Sequence, residues 1–462
     1  MSTITNANVI EVDFGADSRP KYLVLESAVR AAVDGGHLPP GSRLPPVRDL
    51  AFKVGVTPGT VARVYRHLTE TGLLEAAVGR GTFVATPRPP ERGLAEPERA
   101  GTVNLRTSQV IDVGQAGRIA AIMADMGANP EGYGTYPVRQ SDETLRNILS
   151  DWMAETGAVP VAGEDMVLTL GAQHAMVLLG HALLSGPRPV ILTEELCYPG
   201  FRHAAGLVRA ELRGVPFDSE GLRPDALERM ASHTGAQMLV TSSEAHNPTA
   251  MRTSSTRRQQ IVSIAERYNL QIVDDDCFSC PPSGPAYRDL APERTWLVTS
   301  LSKTISPALR LGLIGAPPGR VDEALSAAQQ QFFGLPRPQI DLVEALIRSG
   351  EATAIRRDVL TAQSARVQTA RDILGMHDIT LRDDAPFSWL RLPRGWRASS
   401  FCRAAEAEGI LLKAADEFAL VDGHAPNAVR LALNGTLQDS RFAAALEKLA
   451  RLLDRPPMEV DT

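Results

Sequence analysis

Between Asp165 and Ser302 five short runs rich in β-branched and aliphatic residues recur: DMVLTL, RPVILTE, AQMLVTSS, NLQIVDDD and TWLVTSLS. Segments of helical character lie between them. This alternation admits few folds. Strands joined by helical crossovers run mainly parallel, helices wrap the sheet, and ligands collect at the carboxyl ends of the strands. The chain is therefore expected to be α/β over most of its length. At 462 residues it is too long for one compact core, so two or three domains are expected. No apolar run is long enough to span a bilayer, and the polar, acidic start MSTITNANVIEVDFGADSRP has no apolar leader segment. The cytoplasm is the expected location, with no membrane partner.

The front of the chain reads differently. From Leu25 the apolar residues fall at Leu25, Ala28, Val29, Ala32 and Val33, one face of a helix that Gly35 and Gly36 end. LPPGSRLP reads as the turn leaving it. A second short helix carries Val47, Leu50, Ala51 and Val54, and Gly55 opens a tight turn. Thr57 is placed to cap a third helix, and Pro58 suits its first position, where a missing N–H costs nothing. That helix turns Val61, Val64, Tyr65 and Leu68 inward and leaves Arg63 and Arg66 outside. LLEAAVGRGTFV reads as two strands with a Gly-Arg-Gly tip. Helix, turn, helix and hairpin are the parts of a winged helix-turn-helix, whose recognition helix reads base edges and whose wing reaches phosphate or the minor groove.

Charge agrees with this reading. Leu38 to Val84 holds six lysines and arginines against three acids, so it carries +3 while the net −6 leaves −9 on the remainder. A basic module on an acidic body suits a protein that grips a polyanion at one end. ATPRPPERGLAEPERAG follows, with four prolines and little to bury, and reads as a partly extended linker. The expected domains are a DNA-binding domain at 1–84, a linker at 85–102 and a larger ligand-binding domain at 103–462.

The chemistry-bearing residues of the larger domain fall where the strand rule puts them. Lys303 follows the strand TWLVTSLS, among small hydroxyls and near Arg310, an environment that lowers a lysine pKa and suits Schiff-base formation. Ser300, Ser302 and Arg310 supply donors and a fixed positive charge for a phosphate. Gly171, Ala172 and Gln173 close the strand MVLTL and open a helix, so their backbone N–H groups suit the same phosphate. Asp275 lies near the end of QIVDDD, Asn247 in HNPTA and Tyr198 in LCYPG; they suit a pyridinium nitrogen, a phenolate oxygen and a stacked ring. Each alone also has an ordinary reading, since a loop lysine is usually solvated and Asp-Asp-Asp is usually a turn.

Together and in this order the residues resemble two known sets. LPPVRDLAFKVGVTPGTVARVYRHLTETGLLEAAVGRGTFV is similar to the GntR-family winged helix-turn-helix over its whole length. That resemblance implies Arg48, Thr57, Thr60, Arg63 and Arg80 as DNA contacts. From about Val103 onward the chain resembles the fold type I aminotransferases, which bind pyridoxal 5′-phosphate (PLP). There the S-x-S-K lysine, here Lys303, forms the aldimine with the cofactor, and the downstream arginine, Arg310, holds its phosphate. Asp275 protonates the pyridine and Asn247 touches O3′. Arg430 in NAVRLAL is the arginine that takes a substrate α-carboxylate, and APFSWLRLP near Trp389 matches the small-domain strand of that family. The two parts in this order resemble the MocR-type regulators. The resemblance implies a homodimer that binds double-stranded operator DNA and senses an amine or amino-acid-like effector through Lys303, with no catalytic turnover. Such regulators govern genes for GABA, taurine, vitamin B6 and ectoine use; this layout looks most like the ectoine-utilisation type.

Three places depart from the aminotransferase pattern. Cys277 stands where a tyrosine is usual, two residues after the aspartate. Ala250 and Ala308 stand where glycine is usual, and EGYGTYPVRQSDETLR leaves open whether Tyr133 or Tyr136 crosses to a partner subunit's site. Two other readings stand beside the regulator: a working aminotransferase with an accessory DNA-binding domain, and a DNA-binding protein whose back domain is only a dimerisation scaffold. Cys277 and Cys280 form a lone CxxC without a second ligand pair, so no metal site is expected.

Overall fold

The structure is a computed structural model of the chain and describes residues 10, 12, 14, 20–39, 41–70, 73–77, 81–84, 101–126, 133–278, 281–420, 425–433, 435 and 437–456. It divides into two compact units, Met1–Glu96 and Pro97–Thr462.

In the first unit α1 (Lys21–Asp34), α2 (Val47–Val54) and α3 (Pro58–Glu70) precede a hairpin of β1 (Leu74–Ala77) and β2 (Gly81–Val84). Leu25, Val29, Leu50, Ala51, Val61, Val64, Tyr65 and Leu68 form the core, the faces that periodicity marks. Gly55 makes the turn between α2 and α3 at φ 67, a left-handed conformation that glycine adopts without a Cβ clash. The Thr57 hydroxyl accepts from Thr60 N at 3.3 Å, the N-cap expected of it. One segment differs from its reading. Residues 41–44 are no simple turn: Gly41 N donates to Val84 O, Val84 N to Ser42 O, and Leu44 N to Thr82 O, so they pair along the hairpin as a third extended piece. Gly41 and the four flanking prolines, Pro39, Pro40, Pro45 and Pro46, hide the strand from a propensity reading. Ile10, Val12 and Phe14, upstream of α1, also pack on this core.

The second unit is built on a seven-stranded sheet. After the short β3 (Val103–Asn104) and helices α4 (Gln115–Met126) and α5 (Glu143–Glu155) come β4 (Met166–Thr169), α6 (Ala172–Leu183), β5 (Val190–Glu194), α7 (Pro199–Leu207) and β6 (Glu211–Val215). A small hairpin, β7 (Phe217–Asp218) and β8 (Gly221–Leu222), leads on to β9 (Met238–Thr241), β10 (Gln271–Asp275), β11 (Thr295–Ser300) and β12 (Gly312–Gly315). The order across the sheet is β4-β12-β11-β10-β9-β5-β6. β12 runs antiparallel to both its neighbours, and the other pairings are parallel. The strands are nearly continuous apolar runs because helices cover both faces. A second, antiparallel sheet follows the 24-residue helix Glu351–Leu374. It contains β13 (Ile379–Thr380), β14 (Phe387–Arg391), β16 (Lys413–Ala414) and β17 (Ala428–Ala432), while β15 (Ile410–Leu411) pairs in parallel with β3. Among the described residues no helix is long and apolar enough to cross a membrane.

Candidate functional site

The site gathers at the carboxyl ends of β4, β9, β10 and β11. Its anion-binding end is set by glycines. Gly171, at φ +87, caps α6 and turns the chain sharply from β4 into the helix. A Cβ there would lie 2.9 Å from Arg310 Nη2, so a side chain would displace the guanidinium. Arg310 itself is held at φ 46, with Nη2 donating to Leu170 O at 3.0 Å. Ser300 on β11 faces Gly312 on β12, which in turn faces Thr169 on β4. Gly171, Ala172, Gln173, Ser300 and Arg310 therefore share one end of the site, with Ser302 half-buried on the turn before Lys303. The first N–H groups of α6 have no intrahelical acceptors, which makes this cup a fit for an oxyanion.

Close backbone packing at Gly312 yields a prediction. A Cβ there would sit 2.5 Å from the Gly171 carbonyl carbon and 2.8 Å from Ala172 N. Backbone atoms cannot swing aside as a side chain would. Gly312→Ala should lose roughly 1–3 kcal/mol of stability and blunt the thermal shift produced by PLP. Unfolding curves with and without PLP check both; an unaltered ligand shift would show that the cup tolerates displacement.

Lys303 Nζ donates to Ser108 O at 2.5 Å. Burial draws its pKa down to about 8; Arg430 and Arg310 act in the same direction, while Cys277 and Asp275 oppose them. Asp275 sits at the end of β10, its carboxyl pushed up to about 6 by burial and held down in part by the Cys277 thiol, whose Sγ donates to Oδ1 at 2.7 Å. Asp274 and Asp275 diverge because successive strand side chains alternate in direction. Asp274 accepts from Ser243 N and Oγ at 3.1 and 2.9 Å, while the Asp276 carbonyl accepts from Thr299. A cavity of about 80 Å³ lies among Ala172, Gln173, Tyr198, Asn247, Asp275 and Cys277. Burial raises the Tyr198 phenol well above its ordinary range, which keeps it neutral.

Arg430, on β17 opposite Trp389, is only 4% exposed. Nη1 donates to Asn247 Oδ1 at 2.9 Å, Nη2 donates to Arg106 O, and the guanidinium lies 5.0 Å from the Phe418 ring centre. Three buried polar atoms around the site have no hydrogen-bond partner: Ser108 Oγ, Gln173 Oε1 and Arg430 Nε. Together with the glycine cup, the Asp275 acid that lines the cavity and the half-buried Lys303 amine, this donor set fits a flat phosphorylated pyridine such as PLP.

Sequence reasoning missed the carbonyls of Arg106 and Ser108, because backbone acceptors have no residue signature. It also missed His246, whose ring bonds Thr249 Oγ1 at 2.7 Å and Leu196 O at 3.0 Å and so braces the Asn247 loop; its place beside HNPTA was the available signal. Ala250 holds φ 58 without glycine, its methyl packed with Ala385 and Phe387. Tyr133 and Tyr136 are 37% and 82% exposed and lie outside the cluster just described. Cys280 is outside the described residues, among which no metal-holding group of acids, histidines and cysteines occurs.

In the first unit Arg48, Thr57 and Arg63 are exposed and Thr60 is half-buried. The Thr57 and Thr60 hydroxyls bond each other at 2.9 Å. Arg63 does not project freely, since its guanidinium lies 4.1 Å from the ring centre of Tyr22 on α1. Stacking uses the face of a guanidinium and leaves its edge N–H groups available. Arg80 lies outside the described residues.

Comparison with known proteins gives two family matches: bacterial regulatory proteins of the gntR family at residues 21–84, and aminotransferase class I and II at residues 103–449. The chain is 27% identical over 440 residues to the vitamin B6 salvage pathway transcriptional repressor PtsJ of Salmonella typhimurium, covering 93% of this chain and 97% of that one. It is 24% identical over 462 residues to the HTH-type transcriptional regulator YdeF of Bacillus subtilis, covering 94% and 95%. Among solved structures, an archaeal alanine:glyoxylate aminotransferase superposes with a TM-score of 0.68 at 23% identity, over 76% of this chain and 91% of that one.

Proposed function

We propose, from the premise that this chain belongs to the aminotransferase class I and II family and opens with a gntR-type winged helix, that it is a PLP-dependent transcription regulator whose back domain reads a small amine or amino acid without consuming it. The convergence of Lys303, Asp275, Asn247 and Arg310 in a chain that also carries a DNA reader is the observation behind this reading. PLP, the cofactor of this family, supplies an aldehyde that captures amines. Lys303 is the amine that holds it; Arg310, Ser300, Ser302 and the start of α6 hold its phosphate; Asp275, Asn247 and Tyr198 frame its ring. Arg430 takes the effector carboxylate. Residues 1–84 form the DNA-binding domain, 85–102 the linker and 103–462 the effector domain, which pairs into a homodimer. Arg48, Thr57, Thr60, Arg63 and Arg80 are the proposed DNA contacts, with Arg63 steadied by Tyr22.

Borohydride reduction of the PLP-loaded protein, followed by peptide mapping, should place the pyridoxyl group on Lys303. Turnover separates regulator from enzyme. Cys277 gives its hydrogen to Asp275, and the tyrosine usual at that position is absent, which favours binding over catalysis. Sustained conversion of an amino donor with 2-oxoglutarate would overturn the regulator reading in favour of the aminotransferase. The regulated genes are proposed to serve uptake or catabolism of the effector, as in the ectoine-type layout. A second reading, that PLP itself is the signal, is favoured by the likeness to PtsJ. DNA affinity that changes on adding PLP alone would select it.

The amine that captures an aldehyde must be neutral. Below its pKa of about 8 the neutral fraction of Lys303 falls about tenfold per pH unit; above it the fraction levels off. PLP capture by the apo-protein, followed by absorbance, should rise from pH 6 and level near pH 8 to 9. A midpoint near the usual lysine value of about 10.4 would show that burial does not tune this amine.

A further inference from the structure

One buried histidine joins two loops that line the cavity. His246 is 2% exposed; its Nδ1 lies 2.7 Å from Thr249 Oγ1 and its Nε2 3.0 Å from Leu196 O. A carbonyl only accepts, so Nε2 carries the hydrogen. Burial draws the ring's pKa down to about 4, so the imidazole is neutral near pH 7 and Nδ1 is bare. The Thr249 hydroxyl therefore donates to Nδ1 while it accepts from Met251 N at 3.3 Å. These bonds admit a single tautomer, and they run in one direction from Met251 N to Leu196 O.

Both ends of this series are anchored. His246 N donates to Met251 O at 2.9 Å and Ala250 N to His246 O at 2.7 Å, which closes the turn around Asn247. Arg382 Nη1 donates to the Glu244 and Ala250 carbonyls at 2.6 and 3.0 Å. At the far end Cys197 N donates to Phe418 O at 3.0 Å, and Leu196 bridges to Ala419. Asn247 directly follows His246, Tyr198 lies two residues beyond Leu196, and both line the cavity. Asn247 Oδ1 accepts from Arg430, so its Nδ2 hydrogens are the ones left for a ligand oxygen. We infer that His246 is a positioning residue, which ties the Asn247 loop to the Tyr198 loop and so sets the Asn247 amide against the ring oxygen of PLP. This rests on the reading of Asn247 and Tyr198 as ring contacts. A donor aimed at that oxygen favours its anion. It thereby lowers the pH at which bound PLP gives up the proton shared with the Lys303 nitrogen and changes its visible absorbance.

Spectral titration of the PLP-loaded full-length protein tests this. His246→Phe keeps a ring beside Phe217 but makes neither bond. Its midpoint should lie about one pH unit above the parent's, the effect of misplacing one hydrogen bond to a charged oxygen. His246→Gln, whose amide N–H can reach Leu196 O, should recover most of that difference. A histidine that served stability alone would lower the unfolding temperature of both variants and leave the midpoint where it is. An unshifted His246→Phe midpoint, or equal shifts in the two variants, overturns the inference. If His246→Phe does not fold, Thr249→Val decides, since it removes only the donor to Nδ1. Its midpoint should rise by a smaller amount, and an unchanged one overturns the inference as well. A parent chain that takes up no PLP would fail the cofactor reading, and this inference with it.

Discussion

Lys303→Ala protein is expected to purify colourless and to hold PLP roughly 10²–10³-fold more weakly than the parent chain. Lys303 is placed in the pocket before the ligand arrives, its amine tied to Ser108 O and its pKa drawn to about 8 by burial. Lys303 would meet an aldehyde ligand whose phosphate the cup of Arg310 and Ser300 held, so its capture would be intramolecular. Without that amine only the cup of Arg310, Ser300 and the α6 N-terminus remains, and a phosphate contact alone is readily reversed. DNA affinity should change little in the absence of ligand, because the winged helix is a compact unit of its own. Equilibrium dialysis and visible absorbance measure the first effect, and gel shift on a selected duplex measures the second. A coloured variant with a reducible label on another lysine would overturn the assignment of Lys303.

The second large effect belongs to Arg430. In the parent protein N-(5′-phosphopyridoxyl)-L-alanine should bind far more tightly than pyridoxamine 5′-phosphate, because its carboxylate meets a buried guanidinium. Removing one partner of a buried ion pair costs about 3–5 kcal/mol, or roughly two to four orders of magnitude. In Arg430→Ala the preference should collapse toward unity while pyridoxamine 5′-phosphate affinity holds. Burial already draws the Arg430 pKa down to about 10, so it stays charged at neutral pH and the effect should be flat from pH 6 to 8. Calorimetric titration of both probes checks this. An unchanged preference would place the carboxylate elsewhere.

Much of this architecture was legible because it rests on periodicity and on strand ends. The runs from DMVLTL to TWLVTSLS are β4, β5, β9, β10 and β11, and Gly171, Asn247, Asp275 and Lys303 follow from the rule that loops at carboxyl ends hold ligands. The antiparallel course of β12 was hidden, since a short apolar run such as GLIG carries no sign of strand direction. Residues 41–44 were hidden by the composition of a turn. Arg63 looked like a free outer-face cation, because helical spacing within α3 says nothing of an aromatic ring supplied by α1. Asp274 and Asp275 are identical letters, and only strand alternation, with Ser243 on one side and the cavity on the other, gives them different work. Least legible were the Arg106 and Ser108 carbonyls that accept from Arg430 and Lys303, since every residue possesses such an oxygen.

The packing of Ile10, Val12 and Phe14 bears on where the DNA reader begins. The family match starts at residue 21, yet Ile10 is only 2% exposed and sits in the same core as Leu25 and Leu68. Phe14 adds a cation–π contact to Lys21, 5.5 Å from the ring centre. Burying one isoleucine is worth about 1.5–3 kcal/mol, a large share of what so small a domain has in reserve. An excised reader cut at the family boundary would lose that buried side chain from its core. A self-standing module therefore has to carry Ile10, Val12 and Phe14 with it.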